Sequence, residues 1–101
     1  MIVENSKRKD KRFVAIFKDG KKVNFGFKGG STYIDHKDKV KRKNYIARHS
    51  VNEKQFYNNP KKASTLSRFI LWGEATTLKQ SIKDYERKFK VERGTFKINF
   101  N

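Results

Sequence analysis

Apolar positions along the chain change period twice. Residues 13–17, FVAIF, are β-branched and aromatic. Residues 22–27, KVNFGF, alternate: Val23, Phe25 and Phe27 to one side, Lys22, Asn24 and Gly26 to the other. A period of two belongs to a strand. Asp19-Gly20 between these runs is a two-residue hairpin signal, because glycine accepts a positive φ without steric cost. Further on, Leu78, Ile82, Tyr85 and Phe89 recur at i, i+4, i+7 and i+11, one face of an α-helix. Just ahead, Phe69-Ile70-Leu71-Trp72 is apolar on nearly all sides, so that turn is expected inside. Two short helices joined at Gly73-Glu74-Ala75 form the expected centre of the fold. Residues 95–100, TFKINF, alternate again and predict a strand that returns to the hairpin.

The middle of the chain is more polar. Gly29-Gly30-Ser31 breaks the second strand, and Ser31, Thr32 and Asp35 are all competent helix caps. A helix over residues 35–48 is predicted, with a thin inward stripe of Val40, Asn44, Ala47 and Val51 flanked by Tyr45 and Ile46. Residues 50–62 read as a loop, in which Asn58-Asn59-Pro60 has turn chemistry. Ser64 or Thr65 is the expected cap of the first paired helix, and Thr77 with Gln80 has capping-box spacing for the second. On the outer face of that second helix, Asp84/Lys88 and Glu86/Lys90 are spaced for ion pairs.

The expected architecture is one small α+β domain: an antiparallel hairpin plus a C-terminal strand, packed against two or three short helices. Residues 1–12 are expected to be a basic N-terminal arm and residues 13–101 the domain. The expected core is Phe13, Ala15, Phe17, Val23, Phe25, Leu66, Phe69, Ile70, Trp72, Leu78, Ile82, Tyr85, Phe96 and Ile98.

Composition bears on function more than on fold. Only 35% of the 101 residues are apolar, but 14% are aromatic, which implies a small core of large side chains. Lys and Arg number 26 against 10 Asp and Glu, a net charge of +16. Such a surface attracts polyanions. Cysteine is absent, which excludes a disulfide framework, a thiolate metal site and a cysteine nucleophile. No apolar run approaches the ~18–20 residues of a membrane span, and Met1-Ile2-Val3 is too short for the apolar part of a signal peptide. A soluble, intracellular protein that is not secreted is expected.

Catalytic patterns are sparse. His36 and His49 fall on different sides of the predicted helix and are expected to be solvated or locally hydrogen-bonded. Asp35 and Asp38 could serve a metal-dependent nuclease, but a helix start also explains them through capping and the dipole. Residues 26–31, GFKGGS, could cradle a phosphate, lack the Walker spacing, and read as a turn first. The stronger signal is basic. Lys7, Arg8, Lys9, Lys11 and Arg12 in the arm, with Lys37, Lys39, Lys41, Arg42, Lys43 and Arg48 on the helix, can reach phosphates. Tyr33, Tyr45 and Tyr57 are close enough in sequence to stack on bases, though packing is expected for at least two of them.

Several strings carry a family resemblance: His36-Lys37-Asp38, Arg42-Lys43-Asn44-Tyr45-Ile46-Ala47-Arg48-His49, Pro60, Leu66-Ser67-Arg68-Phe69-Ile70-Leu71-Trp72 and Ser81-Ile82-Lys83-Asp84-Tyr85. Across residues 24–89 the chain resembles a family of small basic proteins encoded by large nucleocytoplasmic DNA viruses of algae and amoebae. The resemblance implies a viral context and brings no catalytic residues with it.

The reading is a non-enzymatic viral protein that binds nucleic acid by charge, DNA without sequence preference, through the arm and the basic helix. The alternative is a minor capsid protein whose partners are acidic virion proteins or the genome. A nuclease comes third. No cofactor, metal or small-molecule substrate is expected, and the location would be the virion or the infected cell's cytoplasm or nucleus.

Overall fold

The computed structural model describes residues 1–92. It is a small α+β domain. Three strands, β1 (Ile2–Asn5), β2 (Lys11–Ile16) and β3 (Lys22–Phe27), form an antiparallel sheet in the order β1-β2-β3. The helices follow: α1 (Tyr33–His36), α2 (Lys39–Glu53), α3 (Ala63–Leu66) and α4 (Leu78–Phe89). A short 3₁₀ turn, Lys54–Phe56, ends α2, and α3 runs on into a π-helical turn, Ser67–Leu71. The predicted turn at Arg93-Gly94, the strand over residues 95–100 and its core positions Phe96 and Ile98 lie outside the described residues.

The first residues depart from the expected arm. Ile2 pairs with Ile16 and Asn5 with Phe13, so the chain start is an edge strand of the sheet. The reason is an alternation at the very start of the chain: Met1 and Val3 are buried while Ile2 and Glu4 face outward. Only the turn at residues 6–10 carries the basic run away from the sheet, and Lys11 and Arg12 already belong to β2. The hairpin is as expected in place, but its turn has three residues, Lys18-Asp19-Gly20. Phe17 N–H donates to Lys21 O at 2.9 Å, and Gly20 sits at φ +89°. That is the three-residue hairpin with a left-handed glycine.

One hydrophobic cluster joins sheet and helices. Phe13, Ala15, Phe17 and Phe25 meet Leu66, Ile70, Leu71, Ile82 and Tyr85, with Met1 and Val3 at the sheet edge. Val23, Phe69, Trp72 and Leu78, also expected in the core, are half-buried against it. Phe27 breaks from its strand: it is 72% exposed. Gly26 has φ +79°, outside the extended region, so the alternation ends there. A Cβ on Gly26 would stand 3.0 Å from the Leu71 side chain and 3.2 Å from Arg12 Cβ, so a side chain there is strained by its φ and fits only if both neighbours give by a few tenths of an ångström. Tyr85 crosses the core, and its hydroxyl donates to Pro60 O at 2.6 Å.

Local signals explain where the helices begin. Thr32 precedes α1, its N–H donating to Asp35 Oδ2 at 2.8 Å. Lys37 takes a left-handed conformation at φ 58° and ends α1 after four residues. Asp38 then caps α2, its Oδ1 accepting from Val40 N at 2.9 Å and Lys41 N at 3.2 Å. The single helix expected over 35–48 is therefore two, and the second continues through the start of the expected loop. Lys62, not Ser64 or Thr65, holds the cap position of α3. Thr65 is buried, and its hydroxyl donates to Phe56 O at 2.7 Å. Thr77 caps α4 as expected, accepting from Gln80 N at 3.3 Å. Glu86 is not on the outer face: it is 5% exposed and lies 3.4 Å from the Met1 amino group.

Candidate nucleic-acid interface

Helix α2 turns the opposite way from its predicted stripe. Val40 is 67% and Val51 81% exposed, and Asn44 and Ala47 are exposed between them. The buried side is Tyr45, with Arg42, Ile46 and His49 half-buried beside it. The physical reason is aromatic. Tyr45 stacks on Trp72 with centroids 4.2 Å apart and planes 5° off parallel, and on His49 at 4.0 Å and 20°. His36 closes the column, 5.3 Å from Trp72. Two stacked aromatic pairs are each worth about 0.5–1.5 kcal/mol beyond the area they bury. Two valines on a narrow stripe have no comparable partner. Burial also raises the Tyr45 hydroxyl pKa well above its ordinary value, so the ring stays neutral in its column.

This rotation fixes where the helix cations point. At about 100° per residue, Val40, Asn44, Ala47 and Val51 span an arc of about 60°. Lys39 and Lys43 border one side of that arc, and Lys41 and Arg48 the other. All four cations are exposed, as is Lys37 ahead of the helix. The solvent face of α2 is thus a strip of small side chains between two rows of positive charge. Its one acid, Glu53, is turned away and bonded to His49 Nδ1 at 2.6 Å.

Two of the predicted phosphate contacts are engaged elsewhere. Arg12 makes a bidentate pair with Asp35, Nη1–Oδ2 and Nη2–Oδ1 both 2.7 Å, tying β2 to α1. That guanidinium is the first cause that holds the Asp35 carboxyl down at about 2. Arg42 donates its Nε to Gly73 O at 2.8 Å and Trp72 O at 3.3 Å, and lies over the Tyr33 ring. Lys7, Arg8 and Lys9 are exposed in the β1–β2 turn and Lys11 is half-buried at its end. Arg8 is paired only loosely, with Asp10 at 3.5 Å on the surface.

The end of this turn meets α2 on its inner side, the side of Tyr45, His49 and Glu53, and not on the solvent face that carries the exposed cations. Asp10, Lys11, Gly26 and Phe27 line one shallow cleft with Tyr45, His49 and Glu53. Lys28 N–H donates to Asp10 O at 3.1 Å, holding the two strand ends together. Exposed Phe27 therefore stands beside this basic turn. The sequence pattern puts Phe27 on the inward side of β3, and the one signal against that is the glycine before it.

The other candidates take structural roles. Asp38 is a cap, its carboxyl lowered chiefly by the Lys41 backbone N–H. His36 Nδ1 accepts from Asp38 N at 2.9 Å. Among the described residues no cluster of three His, Asp or Glu is spaced to hold a metal. Residues 27–30 form a turn, Gly30 N–H donating to Phe27 O at 3.0 Å with Gly29 at φ +89°. Tyr33 and Tyr45 pack inside, and Tyr57 is half-buried against Phe69. No helix among the described residues is long and apolar enough to cross a membrane.

Residues 1–49 are similar to a protein family described as a family of unknown function, DUF5754. The match takes in the sheet, α1 and most of α2, and with them every predicted phosphate-contacting residue. No curated protein and no solved structure matches the chain.

Proposed function

We propose that the protein binds double-stranded nucleic acid, DNA in the first place, through the solvent face of α2 and the β1–β2 turn, and does no chemistry on it. The observation that carries this reading is the α2 face itself: small side chains flanked on both sides by exposed cations, with the single acid turned inward. A DNA major groove is about 12 Å wide, admits a helix and is rimmed by phosphates. Val40, Ala47 and Val51 offer only methyl surface to its floor, while Lys39, Lys43, Lys41 and Arg48 lie toward its rims. The deep, narrow major groove of A-form RNA does not admit a helix this way. Lys7, Arg8 and Lys9, exposed in the β1–β2 turn, add phosphate contacts.

Binding of this kind releases counterions, so affinity falls steeply with salt. For an arbitrary 20-base-pair duplex the expected outcome is tight association at 50 mM NaCl, weakened by about 10³-fold or more at 200 mM. Fluorescence anisotropy reads this directly, and absence of binding at 50 mM refutes the proposal.

A second reading, a minor virion protein set against an acidic protein surface, is favoured by the exposed Val40 and Val51. The viral setting rests on the resemblance alone. On that reading the same helix face meets protein, duplex DNA binds weakly, and the protein occurs in purified particles at fixed stoichiometry.

A further inference from the structure

A second basic feature lies on the other side of Trp72. Between the π turn, the Gly73-Glu74-Ala75 linker and α4 there is a cleft of about 430 Å³. Arg42 reaches it from α2 and Arg68 from the π turn, and both donate to the same acceptor, Trp72 O: Arg42 Nε at 3.3 Å and Arg68 Nη1 at 3.0 Å. Two guanidinium groups thus sit side by side. Neither has a carboxylate within ion-pair distance among the described residues, and burial and the Arg42 charge, in that order, lower the Arg68 pKa against a smaller opposing effect of Glu74. Like charges brought together in a half-buried place lose free energy unless something negative joins them.

We propose that this cleft is a binding site for a phosphate group. Each guanidinium carries five N–H donors in a planar fork. Arg42 engages only Nε and Arg68 only Nη1 with protein acceptors, which leaves both Nη groups of Arg42 and the Nε and Nη2 of Arg68 for a tetrahedral oxyanion. Arg87 and Lys88 add two more cations at the α4 wall. Glu74 and Asp84 also line the cleft, so its balance is four positive charges against two negative. Ser81 lines it as well. It is 1% exposed, and its hydroxyl has no partner among the described residues. The π-helical turn that delivers Arg68 belongs to a conformation that is rare and often found at functional sites.

The site is separate from the α2 solvent face, because Arg42 is turned away from that face. Its phosphate could be free, as inorganic phosphate or a mononucleotide, or the end of a nucleic-acid strand. The test is NMR of the arginine Nε–Hε resonances in the full chain, titrated with inorganic phosphate against chloride at equal ionic strength. Saturable shifts of Arg42 and Arg68 with phosphate alone are expected. Removing one charge-assisted contact should weaken the effect by about tenfold or more. Arg68→Gln tests this at the cleft wall. R87Q and K88Q, at exposed positions, and Ser81→Ala keep the test valid if Arg68→Gln does not fold.

A 5′-phosphorylated oligonucleotide that binds tighter than its 5′-hydroxyl twin assigns the site to strand ends. Equal binding of the two assigns it to free phosphate. If inorganic phosphate moves neither resonance, the proposal is wrong. Replacing Lys41, Lys43 and Arg48 with glutamine should leave the phosphate shifts intact, so this site and the duplex-binding face stand or fall separately.

Discussion

Arg12 and Arg42 each carry a full charge on a basic stretch, and neither presents it to solvent in the way its neighbours do. Arginine suits this, because its planar fork can satisfy a carboxylate or two carbonyls at once while its stem packs. At Asp35 the consequence is a measurable pH dependence. Its carboxyl is depressed to about 2 in the folded state, from an ordinary value near 3.8, chiefly by Arg12. A depressed acid stabilises the fold above its unfolded pKa, and that contribution fades as pH falls toward the folded value. Asp35→Asn should therefore cost about 1 kcal/mol at pH 7, after allowing for its partial solvent exposure. The gap should close between about pH 4 and pH 2. Urea denaturation at pH 7 and pH 2.5 checks this, and an equal gap at both would remove the pair from the account. The pairing was not visible in sequence: Asp35 and Arg12 are distant along the chain, and a carboxylate ahead of a helix looks like a cap whatever else it does.

Among the elements, β3 and α2 show how far local patterning reaches. Alternation placed Phe25 and Phe27 on one side of β3, and Phe25 is indeed fully buried. Gly26 at positive φ reverses the outcome for its neighbour, and a glycine's φ cannot be read from its identity. The two phenylalanines should respond differently to truncation. Phe25→Ala should lose about 3–5 kcal/mol, whereas Phe27→Ala should stay within about 0.5 kcal/mol of the parent. A thermal melt of each variant decides it, and a large loss at Phe27 would contradict the strand geometry described. In α2 two stripes competed, one of valines and one holding Tyr45 and His49. Nothing within the helix chooses between them, because Trp72, which settles the choice, arrives from the π turn. The α4 stripe was legible because Leu78, Ile82, Tyr85 and Phe89 had no rival face. Its Glu86 was not, since the partner is the Met1 amino group at the far end of the chain.

For the whole molecule, the α+β class, the hairpin and the paired helices around Gly73 followed from period and breakers alone. The edge strand did not, because a short Met-Ile-Val-Glu alternation is hidden by the charged run that follows. A net charge of +16 points to a polyanionic partner but does not sort the cations. Packing sorts them: Arg12, Arg42 and Arg68 are drawn toward the interior, while Lys37, Lys39, Lys41, Lys43 and Arg48 remain outside. On the function proposed above, this outer set, and not total charge, carries binding. The most direct measurement compares the salt dependence of duplex-DNA affinity in the parent with that of a variant in which Lys41, Lys43 and Arg48 are all glutamine. The slope of log affinity against log salt should become shallower by about one unit for each residue removed. A parent slope retained in the triple variant would contradict it.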